Sequence, residues 1–156
     1  SNPSSGGITT GLGFPITKIN RLVGIFKAYT TRVGNGPFPT EQLNSIGEKM
    51  QDIGKEFGAT TGRPRRCGWF DVPLANYSNM INGFTEITLT KLDILDSFET
   101  IDVCVGYEYN GRQSDNLSTF FNNLDKVVPI YSAMEGWNSS TEGIQNFEEL
   151  PIKAQE

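Results

Sequence analysis

The chain has 156 residues, 37% of them hydrophobic and 20% charged, which suits one globular domain with a buried core. Its net charge of -5 and pI of 4.8 argue against a protein that grips nucleic acid through a basic face. A small basic cluster can still hold one phosphorylated or carboxylated ligand.

Residues 1–14 are rich in Gly, Ser and Thr and read as loop. From Ile16 the apolar positions Ile19, Leu22, Val23 and Phe26 follow one helical face, predicting a helix that runs toward Tyr29. Val33-Gly34-Asn35-Gly36-Pro37-Phe38-Pro39 breaks it and fixes a shaped loop. Thr40 reads as an N-cap with Glu41 in the first turn, and Leu43, Ile46, Met50, Ile53 and Phe57 continue a helix that Gly58 ends. Asp71 and Pro73 open another helix, which Gly83 closes. Phe84–Leu89 reads as a buried strand leading into Thr90-Lys91-Leu92-Asp93. Ile101–Tyr109 alternates, with Val103, Val105, Tyr107 and Tyr109 on one face, and Asn110-Gly111 predicts a β-hairpin near 101–114. Val127–Met134 reads as a short strand and Gly136-Trp137-Asn138 as a turn. Helices interleaved with strands give an α/β fold class.

Several chemistries are excluded. There is no histidine, and Cys67 and Cys104 sit in no Cys-x-x-Cys spacing, so neither a usual zinc site nor a Ser-His-Asp or Cys-His arrangement can form. Two scattered cysteines read as reduced thiols of a cytoplasmic protein. No apolar run approaches the ~20 residues that span a bilayer, so no membrane partner is expected. No Gly-x-x-x-x-Gly-Lys-Ser/Thr loop is present, which argues against a self-contained GTPase.

Three segments can carry chemistry. In Thr60-Thr61-Gly62-Arg63-Pro64-Arg65-Arg66, three guanidiniums repel one another, and their forks suit carboxylate or phosphate. The alternative is a solvated basic turn, or arginines paired with local acids such as Glu56 and Asp71. In Thr90-Lys91-Leu92-Asp93, a carboxylate at a strand end can accept from N1–H and the 2-amino group of guanine, whereas adenine would leave it unsatisfied at about 1–3 kcal/mol. A surface ion pair after a strand explains the same tripeptide. Arg32 to Thr40 is dense enough in Gly and Pro to lie against a flat ligand, or to serve as a plain crossover.

Taken together, Lys27 to Glu41, Glu56 to Trp69 and Leu89 to Asp96 resemble the adenylosuccinate synthetase family in order and spacing. Ser1-Asn2, Gly6-Gly7, Gly11-Leu12-Gly13 and Gly136-Trp137 are similar to it as well. The resemblance implies a two-step ligation. GTP phosphorylates the 6-oxygen of IMP, and the amine of L-aspartate then displaces phosphate. It also implies a fold related to the P-loop NTPases, in which this chain is a single-domain fragment (1–156) of a large mostly parallel sheet with flanking helices. Ala59, Thr60, Thr61, Gly62, Arg63, Pro64 and Arg65 would close on aspartate, with Arg63 also toward IMP. Val33 and Gly34 would line the IMP pocket. Arg65, Lys91, Leu92 and Asp93 would bind GTP, the last three holding guanine.

The family's phosphate loop, catalytic aspartate and histidine, Mg2+ ligands and partner-subunit arginine are expected upstream, and a C-terminal piece of the guanine site is also expected outside these residues. No catalytic or metal-binding residue is therefore assigned here, and the 156-residue chain is expected to be inactive alone, with a homodimer as the intact enzyme. The rival from another class is a stand-alone guanine-nucleotide or anion-binding module without catalysis. A blander third is a structural piece with no ligand.

Overall fold

The computed structural model describes residues 2–156; Ser1, part of the resemblance at the chain's start, lies outside the described residues. The fold is α/β, as expected, with one parallel and three antiparallel strand pairings among the described residues. Strand β1 (Val23–Lys27) pairs in parallel with β4 (Glu86–Thr90), and β2 (Thr30–Arg32) pairs antiparallel with β3 (Arg66–Gly68). A three-stranded sheet is ordered β6 (Arg112–Ser114), β5 (Thr100–Tyr109), β7 (Val128–Glu135). No helix among the described residues is long and apolar enough to cross a membrane.

Two expectations fail near the start. Residues Gly6–Leu12 form a short helix, α1, closed by Gly13 at φ 65° and anchored where Asn82 Oδ1 accepts from the Ser5 amide at 2.7 Å. The helix expected from Ile16 is replaced by a 3-10 turn at Ile16–Lys18 and then by β1 and β2. The apolar spacing fits a helical face, but Val23 and Ile25 are β-branched and Gly24 packs where a Cβ would meet the Phe84 and Phe26 rings. The parallel partner, more than sixty residues away, supplies the backbone bonds that a local helix would otherwise have made.

Helix α2 (Ser45–Gly54) is shorter than expected at both ends. Asn44, not Thr40, is the cap, its side chain accepting from the amides of Ile46 and Gly47 at 3.0 and 3.3 Å. Thr40 is buried beside β3 instead, where its carbonyl accepts from the Trp69 amide. Lys55, at φ 52°, ends the helix before Gly58. The next helix matches its sequence signals: α3 (Val72–Asn82) has Asp71 as N-cap, Pro73 in its first turn and Gly83 at φ 65° as its stop.

Strand β4 forms where expected, but it is exposed along most of its length rather than buried. In β5 a bulge between Cys104 and Gly106 makes Val105 the extra residue, so Cys104 and Tyr107 share the buried face and Val105 is turned out. The expected single face of Val103, Val105, Tyr107 and Tyr109 therefore does not exist. The hairpin does, with Asn110 and Gly111 both at positive φ between β5 and β6.

The core has two clusters. Ala28, Tyr29, Met50, Cys67, Trp69, Ile94, Leu95, Phe98 and Ile101 form one, and Cys104, Tyr107, Leu117, Phe120 and Val127 the other. Strand β5 runs through both, and Tyr131 packs against both. The first cluster is the floor on which the candidate site stands.

Candidate functional site

The three sequence blocks that carry chemistry are remote in the chain, and backbone pairing brings them together. Lys27, the last residue of β1, is in register with Thr90, the last of β4, so the first block lies against the third. Thr30 and Arg32 in β2 are in register with Gly68 and Arg66 in β3, which sets the first block against the second. Gly68 permits this approach, because a Cβ there would overlap the Thr40 carbonyl.

Glu56 stands where they meet. It is 1% exposed. Its Oε1 accepts from Lys27 Nζ at 2.7 Å, Tyr29 OH at 2.6 Å and Lys91 Nζ at 3.2 Å, while Oε2 accepts from Arg65 at 3.1 Å. Burial alone would lift this carboxyl, but donation from Lys27, Tyr29 and Lys91 outweighs it and holds the group down at about 2. Burial and the bond to Glu56 push the Tyr29 phenol far up, so it stays a donor. Three cations thus share one carboxylate, and the surplus of positive charge suits an anionic ligand.

The segment 56–65 is a narrow hairpin. The Arg65 amide donates to the Glu56 carbonyl at 2.9 Å, Phe57 and Pro64 bridge, and Gln51 Nε2 donates to the Arg65 carbonyl at 2.7 Å. Ala59, Thr60, Thr61, Gly62, Arg63 and Pro64 make its exposed tip, with Gly62 at φ 62°. The base is clamped and the tip is free to meet a ligand.

The three arginines part company. Arg65 joins Glu56, and its Nε is buried without a partner. Arg66 makes a two-pronged bond to Glu41 at 2.7 and 2.5 Å, which pushes its pKa up. Its other nitrogen donates to the carbonyls of Gly34 and Gly36 at 2.9 and 2.8 Å. Arg63 is exposed and pairs with no carboxylate among the described residues. Pairing with local acids therefore holds for Arg65 and Arg66, to Glu56 and Glu41. Asp71 takes no arginine; its carboxylate accepts from Tyr107 OH and the Leu74 amide.

Val33 and Gly34 lie on the exposed loop after β2, Gly34 at φ 87°. Arg66 holds this loop from one side, and Arg32 donates to the Pro37 carbonyl at 2.8 Å from the other. Arg65 and Arg66 also line a cavity of about 330 Å3 with Glu41 and Gln51. Lys91 adopts a left-handed conformation at φ 59°, an uncommon one for a lysine. Its ammonium is held by the Gly54 carbonyl at 2.5 Å and by Glu56. The following turn, Leu92–Leu95, buries Ile94 and Leu95 and leaves the Asp93 carboxylate exposed. Asp96 is structural: it accepts from Trp137 Nε1 at 2.7 Å and from the amide and hydroxyl of Thr141.

Reading by residue type singled out Arg65, Lys91 and Asp93 and offered Glu56 as a partner for an arginine, but did not anticipate Lys27, Tyr29 and Lys91 converging on Glu56 or Arg66 pairing with Glu41. The signal for Glu56 was slight: an acid just before a Gly- and Thr-rich basic run, with no mark of its burial. Among the described residues no group of three or more His, Cys, Asp or Glu side chains is placed to hold a metal ion.

Comparison with known proteins addresses the family of the chain. A family model described as adenylosuccinate synthetase matches residues 1–156. The adenylosuccinate synthetases of Solibacter usitatus and Yarrowia lipolytica are each 51% identical to this chain, over 100% and 99% of it. The chain spans 36% of the length of either relative. A solved structure, described as fully ligated adenylosuccinate synthetase from Plasmodium falciparum, superposes with a TM-score of 0.87 at 37% identity, covering 99% of this chain and 38% of that one. With the family model matched from end to end, the chain belongs to the adenylosuccinate synthetase family.

Proposed function

We propose that these residues serve a GTP-dependent ligase that joins L-aspartate to IMP, forming adenylosuccinate for AMP synthesis, and that they supply its aspartate loop, part of its IMP pocket and its guanine site. The observation that supports this best is the meeting of the three blocks around Glu56, with Arg65 and Lys91 on one carboxylate. The segment acts as one domain of a longer polypeptide that works in the cytoplasm as a homodimer, with Mg2+ bound outside these residues.

The division of labour follows from charge and reach. Aspartate brings two carboxylates, which call for guanidiniums. Arg63 at the exposed tip takes one of them and Arg65 at the clamped base steadies the loop. The tip residues Ala59 to Pro64 close over the amino acid and exclude water from the attacking amine. Val33 and Gly34 lie against IMP, whose 6-oxygen is phosphorylated by GTP before the amine displaces the phosphate. Asp93 accepts from N1–H and the 2-amino group of guanine, while the Lys91 stem and Leu92 flank the base.

The test is nucleotide selectivity in a full-length synthetase that carries this segment. Asp93→Asn removes the acceptor that guanine needs and is expected to weaken GTP by roughly ten-fold or more relative to ATP, which corresponds to about 1–3 kcal/mol. Competitive titration of the two nucleotides reads it. Unchanged selectivity would overturn the assignment of Asp93.

A further inference from the structure

Glu56 lies between Arg65, given to the aspartate loop, and Lys91, given to the guanine site, and neither assignment gives Glu56 itself a role. We propose, resting on the function above, that Glu56 is a positioning residue that couples the two sides, its carboxylate being the shared counter-ion of Arg65 at the aspartate loop and Lys91 at the guanine site. The two oxygens are divided between them. Among the described residues Arg65 alone of the side chains occupies Oε2, at 3.1 Å, and Lys91 shares Oε1 with Lys27 and Tyr29.

Four elements converge on this one side chain. Lys27 closes β1, Tyr29 stands in the turn to β2, Lys91 leads out of β4, and Arg65 forms the base of the hairpin. The Glu56 backbone is tied to Arg65 as well, through the 2.9 Å bond from the Arg65 amide. A guanine base packed on Lys91 restricts the ammonium, which adds a restraint at Oε1 to those of Lys27 and Tyr29 and so steadies the carboxylate plane. The plane in turn fixes the Arg65 guanidinium on Oε2. Ordering done by the first ligand is not needed again for the second, so the two bind with positive cooperativity. The carboxyl is charged across the neutral range, held at about 2 against the lifting effect of burial. Arg65 Nε, buried and unpartnered, shows that Glu56 leaves part of this guanidinium unsatisfied.

The experiment uses a full-length synthetase carrying this segment, without IMP so that no turnover occurs. Equilibrium dialysis of L-aspartate with and without saturating GTP gives the coupling factor. The wild type is expected to bind aspartate at least about five-fold more tightly with GTP present. In Glu56→Gln, and in Glu56→Asp as the variant that keeps the charge but shortens the reach, the factor is expected to fall to within two-fold of unity. Affinity for IMP, titrated separately, is expected to hold, whereas a merely structural loss would weaken all three ligands together. A wild type that binds neither GTP nor aspartate refutes the proposed function itself. A wild type that binds both without coupling, or a folded Glu56 variant that keeps the full factor, overturns the coupling role alone.

Discussion

Glu56 also sets a pH dependence that is independent of any ligand. Its carboxyl sits at about 2 in the folded chain against 4.5 for the ordinary group, a depressed value in the native state. A depressed carboxyl stabilises the fold above its unfolded value, and that stabilisation drains away as pH falls from 4.5 toward 2. The gap is worth about 3 kcal/mol. Glu56→Gln is therefore expected to flatten the acid limb of stability over that window while lowering stability at neutral pH, where the three cations lose their shared partner. Urea midpoints measured from pH 2 to pH 7 read both effects, and a variant whose acid limb is as steep as that of the wild type would assign the slope to other carboxylates.

Among the elements, α3 and β5 are joined by one residue with two tasks. Asp71 caps α3 by accepting from the Leu74 amide at 3.0 Å, and both of its oxygens lie 2.6 Å from Tyr107 OH. Burial pushes this carboxyl up while the Tyr107 bond pulls it back. Asp71→Ala removes the cap, about 1 kcal/mol, and strands a buried phenol, a further 1–3 kcal/mol or so. Tyr107→Phe leaves the cap in place and should cost less, an ordering that thermal unfolding of the two variants checks. This helix was legible because Asp71, Pro73 and Gly83 are local signals, and so was the hairpin at Asn110-Gly111. The strand β1 was not, since its spacing suits a helix and only the distant β4 decides otherwise. The bulge in β5 was hidden for the same reason: register against β7 places Val105 outside the ladder. In the candidate site, Arg65, Lys91 and Asp93 were singled out by their residue types, with ion pairing as the open alternative. Glu56 was legible only as a partner for an arginine, because Lys27, Tyr29 and Lys91 reach it from distant parts of the chain.

At the scale of the whole molecule, the parallel pair β1–β4 is the exposed feature. Among the described residues it has two strands and no third. Parallel strands are normally covered on both faces, and a two-stranded sheet is marginal in water. Here Ile25 is 76% exposed on one face, and Ile87 at 63% and Leu89 at 48% on the other, so apolar side chains on both faces and open edges face outward together. Such a combination templates pairing between copies. The isolated 156-residue chain is therefore expected to self-associate at micromolar concentration, and Ile25→Lys with Ile87→Lys to shift it toward monomer in sedimentation velocity. The charged pair lies off the Glu56 cluster, so it should leave the candidate site folded. Spanning 36% of the relatives' length, the chain is also expected to give no adenylosuccinate from IMP, GTP, aspartate and magnesium, whether associated or monomeric. Turnover by the monomeric double variant would show that these residues hold a complete catalytic apparatus, and would remove the need for any further part of the enzyme.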